Sequence, residues 1–371
     1  MTVKIVILGL SVSSSWGNGH ATTYRALIKG LSARGHSVLF LERDLPWYAE
    51  NRDLPDLPYG TVRYYSGLEE LKREFTTSVR SADAVIVGSF IPEGTAVGEW
   101  VISTSAGVTA FYDIDTPVTL AKLGNGDEQY LSKSLIPQYD LYLSFTGGPT
   151  LIRLERQFGA QMARALYCSV DPSLYYTKTC SQKWDLGYLG TYSEDRHSQL
   201  EALMLAPARE WSDGRMVVAG PMYPAEIAWP ANVERTIHLP PREHCEFYNS
   251  QRFTLNITRA CMRNAGYSPS VRLFEAAACG ATVITDWWPG IETFFEPGAE
   301  ILVARSSCEV LHLLRELPEF ERRAIGTRAR ERVLSHHTAH HRAYELERYL
   351  REAGTLRREE ARERLLTSVS A

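Results

Sequence analysis

No apolar run in this sequence is long enough to cross a bilayer: the opening stretch VKIVILGL spans eight residues, against roughly twenty for a membrane helix. A basic leader with a small-residue cleavage site is also missing, so neither export nor a membrane anchor is expected. Excess charge of one sign is lacking too. Forty Lys and Arg against forty-four Asp and Glu leave a net charge of −4, which gives no overall pull toward nucleic acid or an anionic membrane; any phosphate site has to be local. The six cysteines (Cys168, Cys180, Cys245, Cys261, Cys279 and Cys308) include no C-x-x-C pair. Several lie in apolar periodic segments, which points to reduced, buried thiols and a cytoplasmic setting. Repeats and low-complexity tracts are absent.

What is present is ordinary globular material, 44% hydrophobic and 23% charged over 371 residues. That length exceeds one compact core, so two domains of about 150 to 200 residues are expected. Strand and helix patterns alternate from the start: VKIVILGL, the loop SVSSSWGNGH, the helix ATTYRALIKGLSARG, then HSVLFLER. This is a right-handed β-α-β unit and implies a parallel sheet. Further strands are expected at Ala84 to Val87, Val108 to Tyr112 and Leu141 to Phe145. A second alternating series begins near Trp184 with DLGYLGT, a helix from about His197 to Leu205, RMVVAGP, RTIHLP, a helix from Arg242 to Asn249, and FTLNIT. The fold class is α/β, with domains over 1–167 and 168–340 and a charged helical tail over 341–371. The segment Tyr167 to Lys183 reads as a hinge.

The densest signal is NAGYSPSVRLFEAAACGATVITDWWPGIETFFEPGAEIL, from Asn264 to Leu302. Ser268 followed by Pro269 predicts a helix start with its free N–H groups pointing outward, an arrangement that attracts phosphate. Glu275 falls about two turns further in, among Phe274, Ala276, Ala277 and Ala278. An ionised carboxylate there can accept two hydrogen bonds from a vicinal diol, as a ribose-binding acid does. The structural alternative is a helix cap with a core ion pair between Glu275 and Arg272. Gly190-Thr191-Tyr192, with Arg196 following, would also suit phosphate. Arg259, Arg263 and Arg272 add positive charge around Ser268. His336, His337, His340 and His341 carry i,i+4 spacing without an acidic companion, so packing is expected there rather than zinc.

In the first loop, Gly17-x-Gly19-x-x-Thr22 resembles a dinucleotide fingerprint with Glu42 as its ribose acid, but the loop is long and Thr22 replaces the third glycine. His20, at the helix start, is a candidate general base: the helix dipole lowers its pKa and favours the neutral ring. Bonding within its own loop is the alternative. Asp113 and Asp115, just past a strand on the same edge, suit metal ligation, acceptor binding or base catalysis, while Asp115 also reads as the cap of a Thr116-Pro117 helix start. The reading adopted is metal-free.

Taken together, the two Rossmann-like units, the Gly-x-Gly-His loop and the Ser-Pro-x-x-x-x-x-Glu helix with its Gly-rich acidic loop resemble a glycosyltransferase of the GT-B fold. SPSVRLFEAAACGATVITDWWPGIETFFEPGAEILVA is similar to the CgeB-like (spore-maturation-protein-like) glycosyltransferases, and the likeness is strongest from Leu189 to Ala304. The resemblance implies two doubly wound domains facing across a cleft, the first binding acceptor and the second binding a nucleoside-diphosphate sugar, with the tail packing back on the first so that Arg342 to Leu350 are structural. It places Glu275 on the ribose, and Ser268, Ser270, Arg272, Gly190, Thr191 and Arg196 near the pyrophosphate. Arg259, Asn264 and Tyr267 fall on the sugar side, and Gly17, Asn18, Gly19 and Asp115 on the acceptor side. If the reaction inverts, His20 is the expected base, with Asp113 second; if it retains configuration, His20 is expected to orient the donor instead.

The implied activity is hexosyl transfer to a hydroxyl of a small-molecule (natural-product) or glycan acceptor, with no metal or cofactor beyond the co-substrate. No nucleic acid or integral membrane partner is implied, and no oligomeric state is assigned. A nucleotide-sugar epimerase, an NAD(P)-dependent oxidoreductase and a non-catalytic nucleotide-sugar-binding protein are the alternatives. Retaining GT-B enzymes often carry two glutamates eight positions apart, and Tyr267 stands where the first would be, which leaves the stereochemical outcome open. Trp47, Trp100 and Tyr112 are candidate stacking surfaces, with core packing the commoner role of such residues.

Overall fold

The computed structural model describes the backbone of residues 2–369 and the side chains of residues 2–359. The chain divides into two compact units, Met1–Tyr167 together with Ala339–Ala371, and Cys168–Thr338.

The first unit holds seven strands: β1 (Lys4–Gly9), β2 (Ser37–Arg43), β3 (Thr61–Tyr65), β4 (Ala84–Gly88), β5 (Val108–Asp113), β6 (Leu141–Ser144) and β7 (Ala163–Ala165). All pairs are parallel, in the order β3-β2-β1-β4-β5-β6-β7. The inner strands are continuous apolar runs because helices cover both faces; β4 is buried at every position. β3 and β7 are additions to the sequence reading. As the two edge strands they need little burial: β3 alternates exposed and half-buried residues around Arg63, and β7 has only three residues. The strand order reverses between β1 and β4, the switch point beside which open α/β sheets bind ligands.

The carboxyl-terminal helix Ala339–Val369 packs on the helix Gly19–Ala33. It buries Ala339, Ala343, Leu346, Leu350 and Ala353 as a stripe with helical period. Arg342 is buried and pairs with Glu345 at 2.7 Å, while Glu347 receives the Arg34 Nε at 2.8 Å. The part of the charged tail beyond Glu359 lies outside the described side chains. Gly30 marks the closest approach of the two helices, since a Cβ there would lie 2.5 Å from the Ala339 carbonyl oxygen. Gly30→Val is therefore expected to cost about 1–3 kcal/mol and to lower the thermal unfolding midpoint; an unchanged midpoint would mean that this contact does not hold the helix.

The second unit holds β8 (Trp184–Leu189), β9 (Met216–Ala219), β10 (Val233–Thr236), β11 (Gln251–Asn256), β12 (Thr282–Thr285) and β13 (Leu302–Val303), all parallel in the order β10-β9-β8-β11-β12-β13. Its switch point lies between β8 and β11. Two expectations are corrected here. The strand read as RTIHLP lies further upstream, and Ile237, 77% exposed, is already outside it. The helix expected from His197 to Leu205 starts at Glu194, widens over Glu201–Leu205 and resumes over Ala206–Glu210. The Ala206 N–H reaches back five residues to the Glu201 carbonyl, and Pro207 next to it has no N–H to continue the regular ladder.

Aromatic packing settles other residues. Trp100 and Tyr112 belong to the buried core, and the Tyr112 hydroxyl donates to the Leu166 carbonyl at 3.3 Å. Trp47 is half exposed. His337 is buried and stacks on Phe274 with centroids 4.7 Å apart. Among the described residues no His, Cys, Asp or Glu group is arranged to hold a metal ion, and no helix is long and apolar enough to cross a membrane.

Candidate functional site

The carboxyl ends of β8 and β11 bring several of the expected residues together. β8 runs out into Gly190 and Thr191, while β11 ends on Asn256, which is fully buried. Asn256 is the hub here: its Oδ1 accepts the Ser270 hydroxyl at 3.0 Å and Arg272 Nη1 at 3.4 Å, and its Nδ2 donates to Thr285 Oγ1 at 2.9 Å. Arg272 lies over the Tyr188 ring and beside Gly190, where a Cβ would sit only 3.0 Å from its Nη2. A side chain at 190 would first meet the Tyr188 hydroxyl, 2.7 Å from such a Cβ, so glycine leaves room for both Tyr188 and the guanidinium at the strand end. Arg196 donates to the Thr191 carbonyl at 2.8 Å, and its Nε is buried without a hydrogen-bond partner among the described residues.

The helix that follows starts later than the sequence suggests. It spans Val271–Ala278 with Ser270, not Ser268, at the N-cap position. Pro269 keeps the chain extended up to that point. Ser268 is buried and its hydroxyl donates to Met262 Sδ at 3.1 Å. Ser270 makes no side-chain cap, because its hydroxyl is turned to Asn256. Helix N–H groups left uncapped in this way are free to meet an anion.

Glu275 consequently lies just over one turn into the helix, 4% exposed. It makes no ion pair with Arg272. Instead Tyr248 donates to Oε2 at 3.2 Å, and His244 Nδ1 lies 3.9 Å from the same oxygen.

The remaining second-unit residues are more dispersed. Arg259 Nε lies 3.4 Å from Asp195 Oδ2, Arg263 lies 3.7 Å from Asp286, and Asn264 is exposed on the short helix Ala260–Ala265. Tyr267 adopts a left-handed φ of 49°. Its ring covers Gly290, where a Cβ would fall 2.4 Å from it.

In the first unit, the loop between β1 and the helix Gly19–Ala33 is fastened from below. Glu42 is fully buried, and its carboxylate accepts the N–H groups of Val12 and Ser13 at 2.7 and 3.0 Å and the hydroxyls of Ser11 and Ser13 at 3.0 and 2.6 Å. The donors that a dinucleotide pyrophosphate would need at this end of the loop are already engaged by a protein carboxylate, and Glu42 has no capacity left for a ribose. Asn18 caps the helix through the His20 N–H at 3.0 Å, and its Nδ2 holds the Ser11 and Ser14 carbonyls, each at 3.2 Å. Gly17 has a φ of 59°, and Gly17 and Gly19 have open space where a Cβ would be.

His20 is half-buried and packs edge-on to Phe90 at 5.6 Å, so the loop after β1 touches the loop after β4 at the switch point. Phe90 holds a left-handed φ of 64° and leans on Tyr130 at 4.7 Å. Burial lowers the His20 pKa to about 4, a cause other than the helix dipole expected from the sequence. Its Nδ1 has no hydrogen-bond partner among the described residues. The ring is neutral at ordinary pH and has a lone pair to offer.

Asp113 differs from the expectation of a cleft-facing carboxylate. It is fully buried at the end of β5, with Oδ1 accepting the Thr119 hydroxyl at 2.7 Å and the Asp115 N–H at 3.3 Å, and Oδ2 accepting the Tyr142 hydroxyl at 2.6 Å. Burial raises its pKa to about 6. This arrangement braces the start of the helix Thr116–Gly124 and presents no free oxygen to a substrate. Asp115 occupies the N-cap position but makes no side-chain cap. Sequence reasoning missed Asn256, Tyr248, His244 and Tyr175. Only Asn256 carried a signal, as the polar residue closing an otherwise apolar strand.

A family profile described as "Glycosyl transferase-like" matches residues 196–348, less than half of the chain. No curated protein is detectably similar to it in sequence. Among solved structures, the sucrose-phosphate synthase of Thermosynechococcus elongatus superposes with a TM-score of 0.70 at 13% identity, covering 94% of this chain and 98% of that one. Anabaena HepE in complex with UDP and glucose gives 0.71 at 11% identity over 94% and 100% of the two chains. AviGT4, a glycosyltransferase involved in avilamycin A biosynthesis, gives 0.62 at 16% over 95% and 98%. These likenesses, with the two parallel sheets and their matching switch points, show that the chain has the GT-B fold.

Proposed function

We propose that this chain is a glycosyltransferase that moves a sugar from a nucleoside-diphosphate sugar to a hydroxyl of a small-molecule or glycan acceptor. The observation that carries the reading is the convergence of Gly190, Asn256, Ser270 and Arg272 at the β8/β11 switch point, with an uncapped helix start and the Glu275 carboxylate just over a turn beyond it. Helix N–H groups and a guanidinium suit a diphosphate, and the carboxylate suits a ribose diol. The profile match over this region supports it, as do fold relatives solved with UDP, HepE among them. The similarity of the segment from Ser268 to Ala304 to CgeB-like enzymes is the finer family placement we propose.

In the reaction the acceptor oxygen attacks the anomeric carbon as the bond to the diphosphate breaks. The departing charge is met by the helix start and Arg272 without a metal. In an inverting reaction the acceptor proton passes to the neutral imidazole of His20. Incubation with a panel of nucleotide sugars, with released nucleoside diphosphate measured, tests this. Acceptor-dependent release is expected, and binding of nucleotide sugar without release over a broad acceptor panel would favour a sensor instead.

A further inference from the structure

We propose that Tyr248 and the Tyr175–His244 pair are positioning residues that hold Glu275 by one oxygen and present the other to the ribose of the donor, an inference that rests on the donor-site reading above. Three segments of the second unit meet here. Glu275 comes from the helix Val271–Ala278, and Tyr248 and His244 from one face of the helix Pro241–Asn249. Tyr175 comes from the stretch that the sequence marked as a hinge, where a turn bonds the N–H groups of Leu174 and Tyr175 to the Asp171 carbonyl at 3.0 and 3.1 Å. Tyr175, Tyr248 and Glu275 are all buried.

The direction of each hydrogen bond follows from its neighbours. His244 Nε2 lies 3.1 Å from the Leu239 carbonyl, which can only accept, so Nε2 carries the proton. Burial holds the His244 pKa below its ordinary value against the opposing pull of Glu275, and the ring is neutral. Nδ1 is then an acceptor, and the Tyr175 hydroxyl, 3.2 Å away, donates to it. That proton covers a lone pair that would otherwise face Glu275 Oε2 at 3.9 Å. Tyr248 supplies the donor that fixes the same oxygen, at 3.2 Å. One carboxylate oxygen is drawn down by a phenol and flanked by a screened imidazole, so the rotation that would swing the carboxylate away from a ligand is resisted. Arg272 and Cys279 also lie in the field of this cluster.

The test compares UDP with 2′-deoxy-UDP by titration calorimetry on the whole protein. Wild type should prefer UDP by about tenfold or more, the size of one lost hydrogen bond to a charged group. Tyr248→Phe should lose most of that preference, while its affinity for 2′-deoxy-UDP stays within about twofold, a selective change that general loosening of the fold would not give. Tyr175→Phe, on a separate segment, should reduce the preference in the same way and serves if Tyr248→Phe fails to fold. Retention of the full preference in the folded variants overturns the positioning role. Equal binding of the two ligands by wild type overturns the ribose assignment of Glu275 itself, and no binding of either overturns the reading of this site as one for a uridine nucleotide; both are recognised before any variant is measured.

Discussion

Replacing Glu275 with alanine should weaken UDP binding about 100-fold, corresponding to roughly 2.7 kcal/mol. Two hydrogen bonds from a diol to an ionised carboxylate are each worth about 1.5–3 kcal/mol, and part of that is recovered when water replaces the side chain. The substitution also leaves the buried Tyr248 hydroxyl without its acceptor, so the variant should be somewhat less stable. Glu275→Gln separates the two effects: its amide oxygen can still accept from Tyr248, but charge and one acceptor are lost, and affinity should fall about tenfold. Calorimetric titration with UDP reads both. Unchanged affinity in a folded Glu275→Ala protein would remove the carboxylate from the donor site.

The second large effect is expected at His20. If the His20 imidazole takes the acceptor proton, His20→Ala should lower kcat by about 10²–10⁴, with donor affinity little changed because the groups assigned to the donor are left intact. Burial sets where the pH profile bends. With a pKa of about 4, the imidazole stays neutral well below pH 6, and the acid limb of kcat/KM should lie near pH 4. A limb near pH 6 would point to Asp113, whose carboxyl is raised to about 6.

Stability carries the same signature with a definite sign. As pH falls from 6.5 to 4, the unfolded chain protonates His20 while the folded chain does not, so His20 lowers stability over that window. Asp113 works the other way between about 6 and 3.8, where the folded chain binds the proton first. His20→Gln should therefore be more resistant than wild type to acid unfolding between pH 6 and 4.

Most of the fold was legible because its signals are local. Unbroken apolar strands, glycine-rich loops and alternating periodicity are written into VKIVILGL and FTLNIT without reference to anything distant. The strands that escaped, β3, β7 and β13, lie at sheet edges and are short or bury little, and the widened helix over Glu201–Leu205 sits against Pro207, which has no N–H to give. The candidate site was legible in its chain-local part, the Ser-Pro-x-x-x-x-x-Glu pattern, although the helix begins at Val271 and not beside Ser268. What surrounds Glu275 was not legible, because His244 and Tyr248 lie 31 and 27 residues away in sequence, and Tyr175 behind them 100 away, and only folding brings them together. Asp113 was misplaced for a related reason. A strand-end aspartate looks the same in sequence whether it faces solvent or is closed off by Tyr142 and Thr119.

Amide hydrogen exchange with and without saturating UDP tests the central claim most directly, because it reports where a diphosphate settles on the intact chain. Protection should appear at Gly190 to Arg196 and at the helix start from Ser270 to Leu273, with the loop from Ser11 to Asn18 unchanged. Protection confined to the Ser11–Asn18 loop, with none at the helix start, would contradict a donor site at the second switch point.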